Sequence, residues 1–138
     1  MPKVFTSDTQ KTGEVGENIA AKFLVKHGYS IMDRNYTKKW GEIDIVTKKG
    51  AMIHFIEVKS VSATGLPNQD TNTVPHETDN YRPEDNMHPW KLKRLSRAIQ
   101  TYLLEKDIEL EWQLDLVTVK IDQQNRRARV EIIENVII

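Results

Sequence analysis

At 138 residues with 38% hydrophobic content, the chain can bury one core and has little room for a second, so a single domain over residues 1–138 is expected. Lys plus Arg and Asp plus Glu total 20 each, a net charge of zero that leaves only local basic patches to attract nucleic acid. The apolar runs are far shorter than the roughly 18–20 residues a bilayer requires, MPKVFTSDTQKTG has no apolar signal segment, and no cysteine offers a disulfide or thiolate zinc site; a cytoplasmic protein without membrane contact is expected.

From Gly13 to His27, the apolar Ile19, Ala20, Phe23 and Leu24 recur at helical spacing, and Gly28 follows as a C-terminal cap. Tyr29–Thr37 and Gly41–Lys48 read as strands, the second built on Ile43, Ile45 and Val46. Lys49-Gly50 is a turn signal, and Met52–Ser60 is a third strand rich in branched and aromatic residues. Residues 61–89 change character, with Pro67, Pro75, Pro83 and Pro89 standing among Asn, Asp, Thr and Glu. Connections beyond about 12–15 residues are usually functional or disordered, so a long flexible loop is expected here, either a substrate-contacting flap or simply mobile. From Trp90, Leu92, Leu95, Ile99, Tyr102 and Leu103 fall on one helical stripe, and strands near Trp112–Ile121 and Ala128–Val136 close the chain. The order is α-β-β-β-α-β-β. The first three strands are too closely spaced for helical crossovers, so the expected fold is α/β, a mixed β-sheet flanked by helices.

Strands two and three also carry Glu42, Asp44, Glu57 and Lys59, residue types rarely buried without a partner. A two-residue turn at Lys49-Gly50 sets Asp44 against Phe55 and Glu42 against Glu57. Glu57 and Lys59 are two apart and share a face, with Asp44 one diagonal step from Glu57 on that face; an odd loop would send Asp44 to the other. Carboxylates held this close repel unless one is protonated or a cation lies between them. Mg²⁺ (or Mn²⁺) suits the position, since it takes one or two carboxylates and fills its other sites with water and phosphate oxygens. Lys59 beside it could orient or deprotonate a water and offset charge building on a phosphate, the arrangement of a phosphodiester-cleaving site. A cross-strand salt bridge of Lys59 to Glu42 or Glu57 explains the same residues, and spacing alone does not choose.

At about 100° per residue, Glu17 lies about 95° from the centre of the first helix's apolar stripe and Glu14 about 155°, so Glu17 can lean into a cleft while Glu14 is solvated. Glu17 is equally readable as a surface residue. On the second helix Lys93, Arg94 and Arg97 share the outer face and Lys91 lies on the flank, within reach of a phosphate near the site. Basic runs such as KLKRLSR, or Arg126, Arg127 and Arg129, are otherwise solvated faces. His27, His54, His76 and His88 have no ligand spacing and read as structural or loop residues. Trp40, Trp90 and Trp112 are expected to pack at strand and helix ends, with Trp90 or Tyr81 as candidates to stack on a base.

The blocks GEVGENIAAKFLVKHGY, RNY, GEIDIV, FIEVKS, RLSRAIQTYL preceded by Lys91, and LDLVTV together resemble the YraN-like family of small bacterial proteins, predicted members of the PD-(D/E)XK nuclease superfamily. The resemblance runs from about Gly13 to Val119, interrupted by the long loop, which looks longer than is usual for the family. It implies a restriction-endonuclease-like core similar to archaeal Holliday junction resolvases and Mg²⁺-dependent DNA cleavage. Carried over by position, Asp44 and Glu57 match the metal-binding acids, Lys59 the catalytic lysine and Glu17 the helix-one acid. Glu42 belongs to the GEID block, as a second-shell partner or one half of a strained acidic pair.

The expectation is therefore a metal-dependent endonuclease acting on DNA, branched DNA included, with Lys91, Lys93, Arg94 and Arg97 as the nucleic-acid contacts. The rival is a non-catalytic nucleic-acid-binding or scaffolding protein that keeps the fold. The apolar VEIIENVII could pair between chains in a homodimer or dock on its own sheet.

Overall fold

The computed structural model describes residues 8–63 and 88–137, with side chains from residue 13 onward. Seven elements appear in the expected order: α1 Asp8–Lys26, β1 Ser30–Lys38, β2 Gly41–Lys49, β3 Met52–Ser62, α2 Pro89–Glu105, β4 Trp112–Asp122 and β5 Arg127–Ile133. Of the loop expected at 61–89, residues 61 and 62 belong to β3 and Pro89 opens α2. Residues 64–87, Tyr81 and His76 among them, lie outside the described residues.

The boundaries move where a local reason can be named. Helix α1 begins at Asp8 rather than Gly13, because apolar periodicity marks only the part of a helix that meets a core, and DTQKT holds no breaker. It ends where Gly28 takes φ +90°, a backbone region glycine enters without a Cβ clash. Strand β5 stops at Ile133 rather than Val136. Asn135 turns to φ 57°, its N–H donates to Asp115 Oδ1 at 2.9 Å, and the Val136 N–H donates to the Leu114 carbonyl at 2.7 Å. The apolar tail is thus docked on its own sheet.

The five strands lie in the order β1-β2-β3-β4-β5, antiparallel except for the parallel pair β3–β4. A parallel neighbour needs a crossover, and α2 lies in it. Helix α2 buries Leu95, Ala98, Ile99 and Tyr102 on one face of the sheet against Ile43, Val46, Ile53, Phe55, Leu114 and Leu116. Helix α1 buries Ala20, Ala21 and Leu24 on the other face against Ile45, Ile56, Val117, Val119 and Ile121. Central strands covered on both faces explain why β3 and β4 read as near-continuous apolar runs. Each large side chain so buried contributes about 1.5–3 kcal/mol. Among the described residues no helix is long and apolar enough to cross a membrane.

Polar groups inside this core are paired. His54 Nδ1 and Asp115 Oδ2 are 2.7 Å apart, and Asp115 Oδ1 also accepts from Gln113 Nε2 at 2.7 Å. Asp115 is therefore fully buried yet saturated, and His54 takes a structural position on the α1 face of β3. Trp112 packs edge-on against Phe55 as expected, whereas Trp90 is 60% exposed and does not join the core, a correction to the sequence expectation. Trp90 stands in the first turn of α2, ahead of Leu95, the first buried residue of that helix in the core.

Two glycines set how closely the helices approach. A Cβ on Gly16 of α1 would overlap the Ser60 hydroxyl of β3, and one on Gly41 of β2 would overlap the Arg94 carbonyl of α2. Gly16→Ala is therefore expected to lower stability by about 1–3 kcal/mol, the usual range for overpacking. Ser60→Gly in the same chain should recover part of that loss beyond simple additivity, measured as a double-mutant cycle of urea midpoints. Additive losses would show that α1 relaxes away from β3 without strain.

Candidate active site

The β2–β3 hairpin determines the site. Its pairs run from Lys49↔Met52 to Ile45↔Ile56, so the turn is Gly50-Ala51, with Gly50 at φ 61°. The sequence expectation used Lys49-Gly50 and set Asp44 against Phe55 and Glu42 against Glu57; both pairings are corrected. Phe55 faces Val46, and Asp44 comes level with Glu57. Both turns contain two residues, so parity survives the correction while register does not. Left-handed backbone falls on Gly50 at the first turn position, and this is what selects one turn over the other.

The ladder ends at Ile45↔Ile56, one step before Asp44. There the Asp44 carboxylate takes over from the backbone, with Oδ2 accepting the Val58 N–H at 2.8 Å. Strand alternation breaks at the same residue, since Ile43 and Val46 both lie beneath α2 while Ile45 lies beneath α1. On β1 the pairs Arg34↔Ile45 and Tyr36↔Ile43 flank this step, and Asn35 between them adopts φ 54°. Both strands therefore shift face together at Asn35 and Asp44. Irregularities of this kind re-aim a side chain that regular pleating would point elsewhere.

Asp44 and Glu57 are in hydrogen-bonding contact. Burial, then the Glu57 charge, hold the Asp44 carboxyl well above the usual range, and the Val58 N–H only partly opposes them; Glu17 and Glu42 add to the rise. Glu57 is also raised, by burial first, against the pull of Lys91. The Glu57 charge thus disfavours the charged form of Asp44, and of the two carboxyls the neutral form is favoured most at Asp44.

Lys91, in the first turn of α2, places Nζ 3.1 Å from Glu57 Oε1. Burial opposes its charge, but Glu57, with Asp44 and Glu42 behind it, raises its pKa above the ordinary lysine value. The sequence had placed Lys91 on the flank facing a phosphate and did not foresee this ion pair, which depends on where the crossover lays α2 over β3. Lys59 is half-buried, shares the Glu57 face by alternation, and forms no ion pair among the described residues.

Glu17 reaches the neighbourhood from α1. Its Oε1 accepts from Arg34 Nη2 at 3.0 Å, Arg34 Nε at 3.3 Å and Asn35 Nδ2 at 3.0 Å, and Asn18 Oδ1 accepts from Arg34 Nη2 at 2.8 Å. Arg34 and Asn35 had no role in the sequence reading. The signal was their place in RNY, beside the strand that carries Asp44. Glu42 is exposed and pairs in register with Thr37 of β1, so it is not the buried partner of Glu57; its charge still raises both carboxyls of the pair. Lys93, Arg94 and Arg97 are exposed on α2.

No group of three or more His, Cys, Asp or Glu side chains suited to a metal occurs among the described residues. Mg²⁺ does not need one, because one or two carboxylates with waters and phosphate oxygens complete its octahedron. Two carboxyls in contact, both with raised pKa values, are hard oxygen donors that fit such an ion, since a divalent charge removes their repulsion.

A family model described as "Uncharacterised protein family UPF0102" matches residues 16–133, a span that includes Glu17, Asp44, Glu57, Lys59 and Lys91. A UPF0102 protein of Campylobacter fetus subsp. fetus is 37% identical over 124 residues, covering 90% of this chain and 91% of the relative. One from Wolinella succinogenes is 36% identical over 124 residues, 90% of this chain and 94% of the relative. One from Campylobacter hominis is 32% identical over 126 residues, 91% and 93%.

The raised Asp44 carboxyl has a stability consequence with a definite sign. A carboxyl favoured neutral in the fold stabilises below its unfolded pKa, and that contribution is lost as pH rises through the raised folded value. Asp44→Asn keeps an oxygen for the Val58 N–H and carries no charge. In EDTA its melting temperature should exceed that of the parent at pH 8, with the gap closing toward pH 4. A gap independent of pH would show that Asp44 is not the group that resists ionisation.

Proposed function

The chain belongs to the uncharacterised protein family UPF0102, and from its site we propose that it is a metal-dependent endonuclease hydrolysing DNA phosphodiester bonds, branched DNA among its substrates. The observation that carries this reading is the carboxyl pair where β2 and β3 part, Glu57 buried and Asp44 half-buried, with the half-buried Lys59 beside it. The cation paired to Glu57 is Lys91 rather than the Lys59 of the bland alternative.

Asp44 and Glu57 would hold Mg²⁺ or Mn²⁺. When bound, such an ion supplies Lewis acidity toward a phosphate oxygen and lowers the pKa of water. The chain's own groups do the rest. With both carboxyls turned to a cation, Lys91 would be released from Glu57 and its ammonium would be free for a substrate phosphate. Lys59 hydrogen bonds the attacking water and offsets the charge that builds on phosphorus-bound oxygens. Water oxygen then bonds to phosphorus as the ester P–O bond opposite breaks; the water gives up one proton to solvent and the departing alkoxide takes one from it. Glu17, fixed by Arg34 and Asn35, supplements the metal site by keeping the α1 side of Asp44 negative.

With Mg²⁺ or Mn²⁺, the parent should nick branched or flapped DNA, and Glu57→Ala and Lys59→Ala should each lose about 10²–10⁴-fold in rate. Mn²⁺ should also raise the melting temperature of the parent and leave Asp44→Ala unmoved. Full activity in Lys59→Ala would remove it from the chemistry. No cleavage together with no Mn²⁺ shift would favour a binding protein that keeps the fold.

Lys91 separates the metal from the substrate. Removing a cation that competes for Glu57 should tighten Mn²⁺ binding in Lys91→Gln by up to about fivefold, the scale of a partly exposed ion pair. The same variant should bind DNA more weakly. Calorimetry and fluorescence anisotropy read the two effects, and a variant that loses both affinities would place Lys91 among the groups that build the metal site.

A further inference from the structure

We propose that the outer stripe of α2, together with Trp40, is a track for an unpaired DNA strand, so that the substrate class is DNA with a single-stranded segment. Trp90, Arg94, Arg97 and Thr101 stand at i, i+4, i+7 and i+11 and therefore form one row along the helix. The Arg94 guanidinium lies 6.0 Å from the Trp90 ring centre, and that of Arg97 lies 5.6 Å from the Trp40 ring centre. Trp40 is fixed in place, because Nε1–H donates to Thr101 Oγ1 at 3.0 Å and the Thr101 hydroxyl donates to the Arg97 carbonyl at 2.8 Å. Gly41, next to Trp40, holds this end of β2 against the Arg94 backbone. The result is an alternation of indole and guanidinium surfaces, with Trp90 60% exposed.

Folding alone gives no reason for this row. Lys91, Lys93 and Arg94 crowd the first two turns of α2, whose first turn has no acidic residue, although the helix macrodipole disfavours cations at that end. A large indole left open to water beside them adds no core packing. Flat rings and guanidinium planes instead suit nucleobases, since every base has a π-face, and base–aromatic stacking is sequence-tolerant. Bases within a duplex are stacked on each other and offer no face, which is why the row selects unpaired strands. From Trp90 to Arg97 the helix rises about 10 Å. The track starts at the site, because Lys91 in the same turn as Trp90 is the residue ion-paired to Glu57. The inference rests on reading Asp44–Glu57 as a phosphodiester site.

The test is binding in EDTA, where cleavage is silent, using labelled dT12, rU12 and a 12-base-pair DNA duplex with the full chain. The parent should bind dT12 at least about tenfold tighter than the duplex. Trp90→Ala should weaken dT12 binding by about tenfold or more, the range seen for loss of one stacked base, while Trp90→Phe restores most of it and duplex affinity stays put. Arg94→Ala should weaken both ligands and flatten the salt dependence by about one unit of slope. Equal affinity of parent and Trp90→Ala for dT12, or tighter binding of duplex or of rU12, would overturn the proposal. Cleavage with Mg²⁺ separates the two readings: equal duplex cutting by parent and Trp90→Ala with no single-strand preference removes the track and keeps the nuclease. Trp90-dependent dT12 binding with no cleavage of any DNA keeps the track and removes the nuclease.

Discussion

One hydrogen bond, from the Val58 N–H to the Asp44 carboxylate, marks the point on which the site depends. A sheet ladder normally gives every such N–H a carbonyl; here the ladder stops at Ile45↔Ile56 and a side chain takes the next place. Because the acceptor is a carboxyl rather than a backbone carbonyl, β2 and β3 can separate without leaving a buried donor unpaired. The opening this creates is filled by the carboxyls of Asp44 and Glu57. Close approach of both helices then encloses it: α1 presses on β3 at Gly16 and α2 on β2 at Gly41, each glycine standing where a methyl group would collide.

The electrostatics of that opening are arranged to remain unsatisfied. A fold selecting for stability alone would neutralise two buried acids with a buried lysine or replace them by apolar groups. Among the described residues Glu57 is paired to Lys91, from a partly exposed position on a different element, while Arg34 is tied up on Glu17. Both carboxyl pKa values are left raised, and Lys59 remains without an ion pair among the described residues. By contrast Asp115, equally charged by type and fully buried, is saturated by His54, Gln113 and the Asn135 N–H. One sheet thus holds two acidic environments, one closed by hydrogen bonds and one where two carboxyls face each other with their pKa values raised.

Much of this was legible in the sequence because it follows from periodicity. Element order, the two helix faces and the shared side of Glu57 and Lys59 all derive from repeats of 3.6 or 2 residues. The register of the hairpin was not legible in the same way. Lys49-Gly50 and Gly50-Ala51 are equally short turns, and only the left-handed backbone at Gly50 separates them. The face of Asp44 escaped periodicity altogether, since alternation fails at Asp44 and at Asn35 opposite. What the sequence did offer was composition: an acid set directly between Ile43 and Ile45 is a residue that backbone geometry must accommodate. The Lys91–Glu57 and Glu17–Arg34 pairs join elements separated by a crossover or a helix–strand connection, and no local pattern encodes such distances.

Helix α2 links these points. Its inner face completes the core through Leu95, Ala98, Ile99 and Tyr102, so its position on the sheet is fixed by burial. With that face immobilised, the N-terminal turn has no freedom over where it sets Lys91, which falls on Glu57, nor over where it sets Trp90 and Arg94, which fall outside. An element held rigidly by its apolar face can therefore carry two polar tasks at once, one directed at the carboxyl pair and one at whatever approaches it. A ligand phosphate drawing Lys91 away from Glu57 would leave the pair with less positive charge and a greater need for a cation. Substrate and metal would then favour each other's binding through a single side chain, and that coupling needs no movement of the helix backbone.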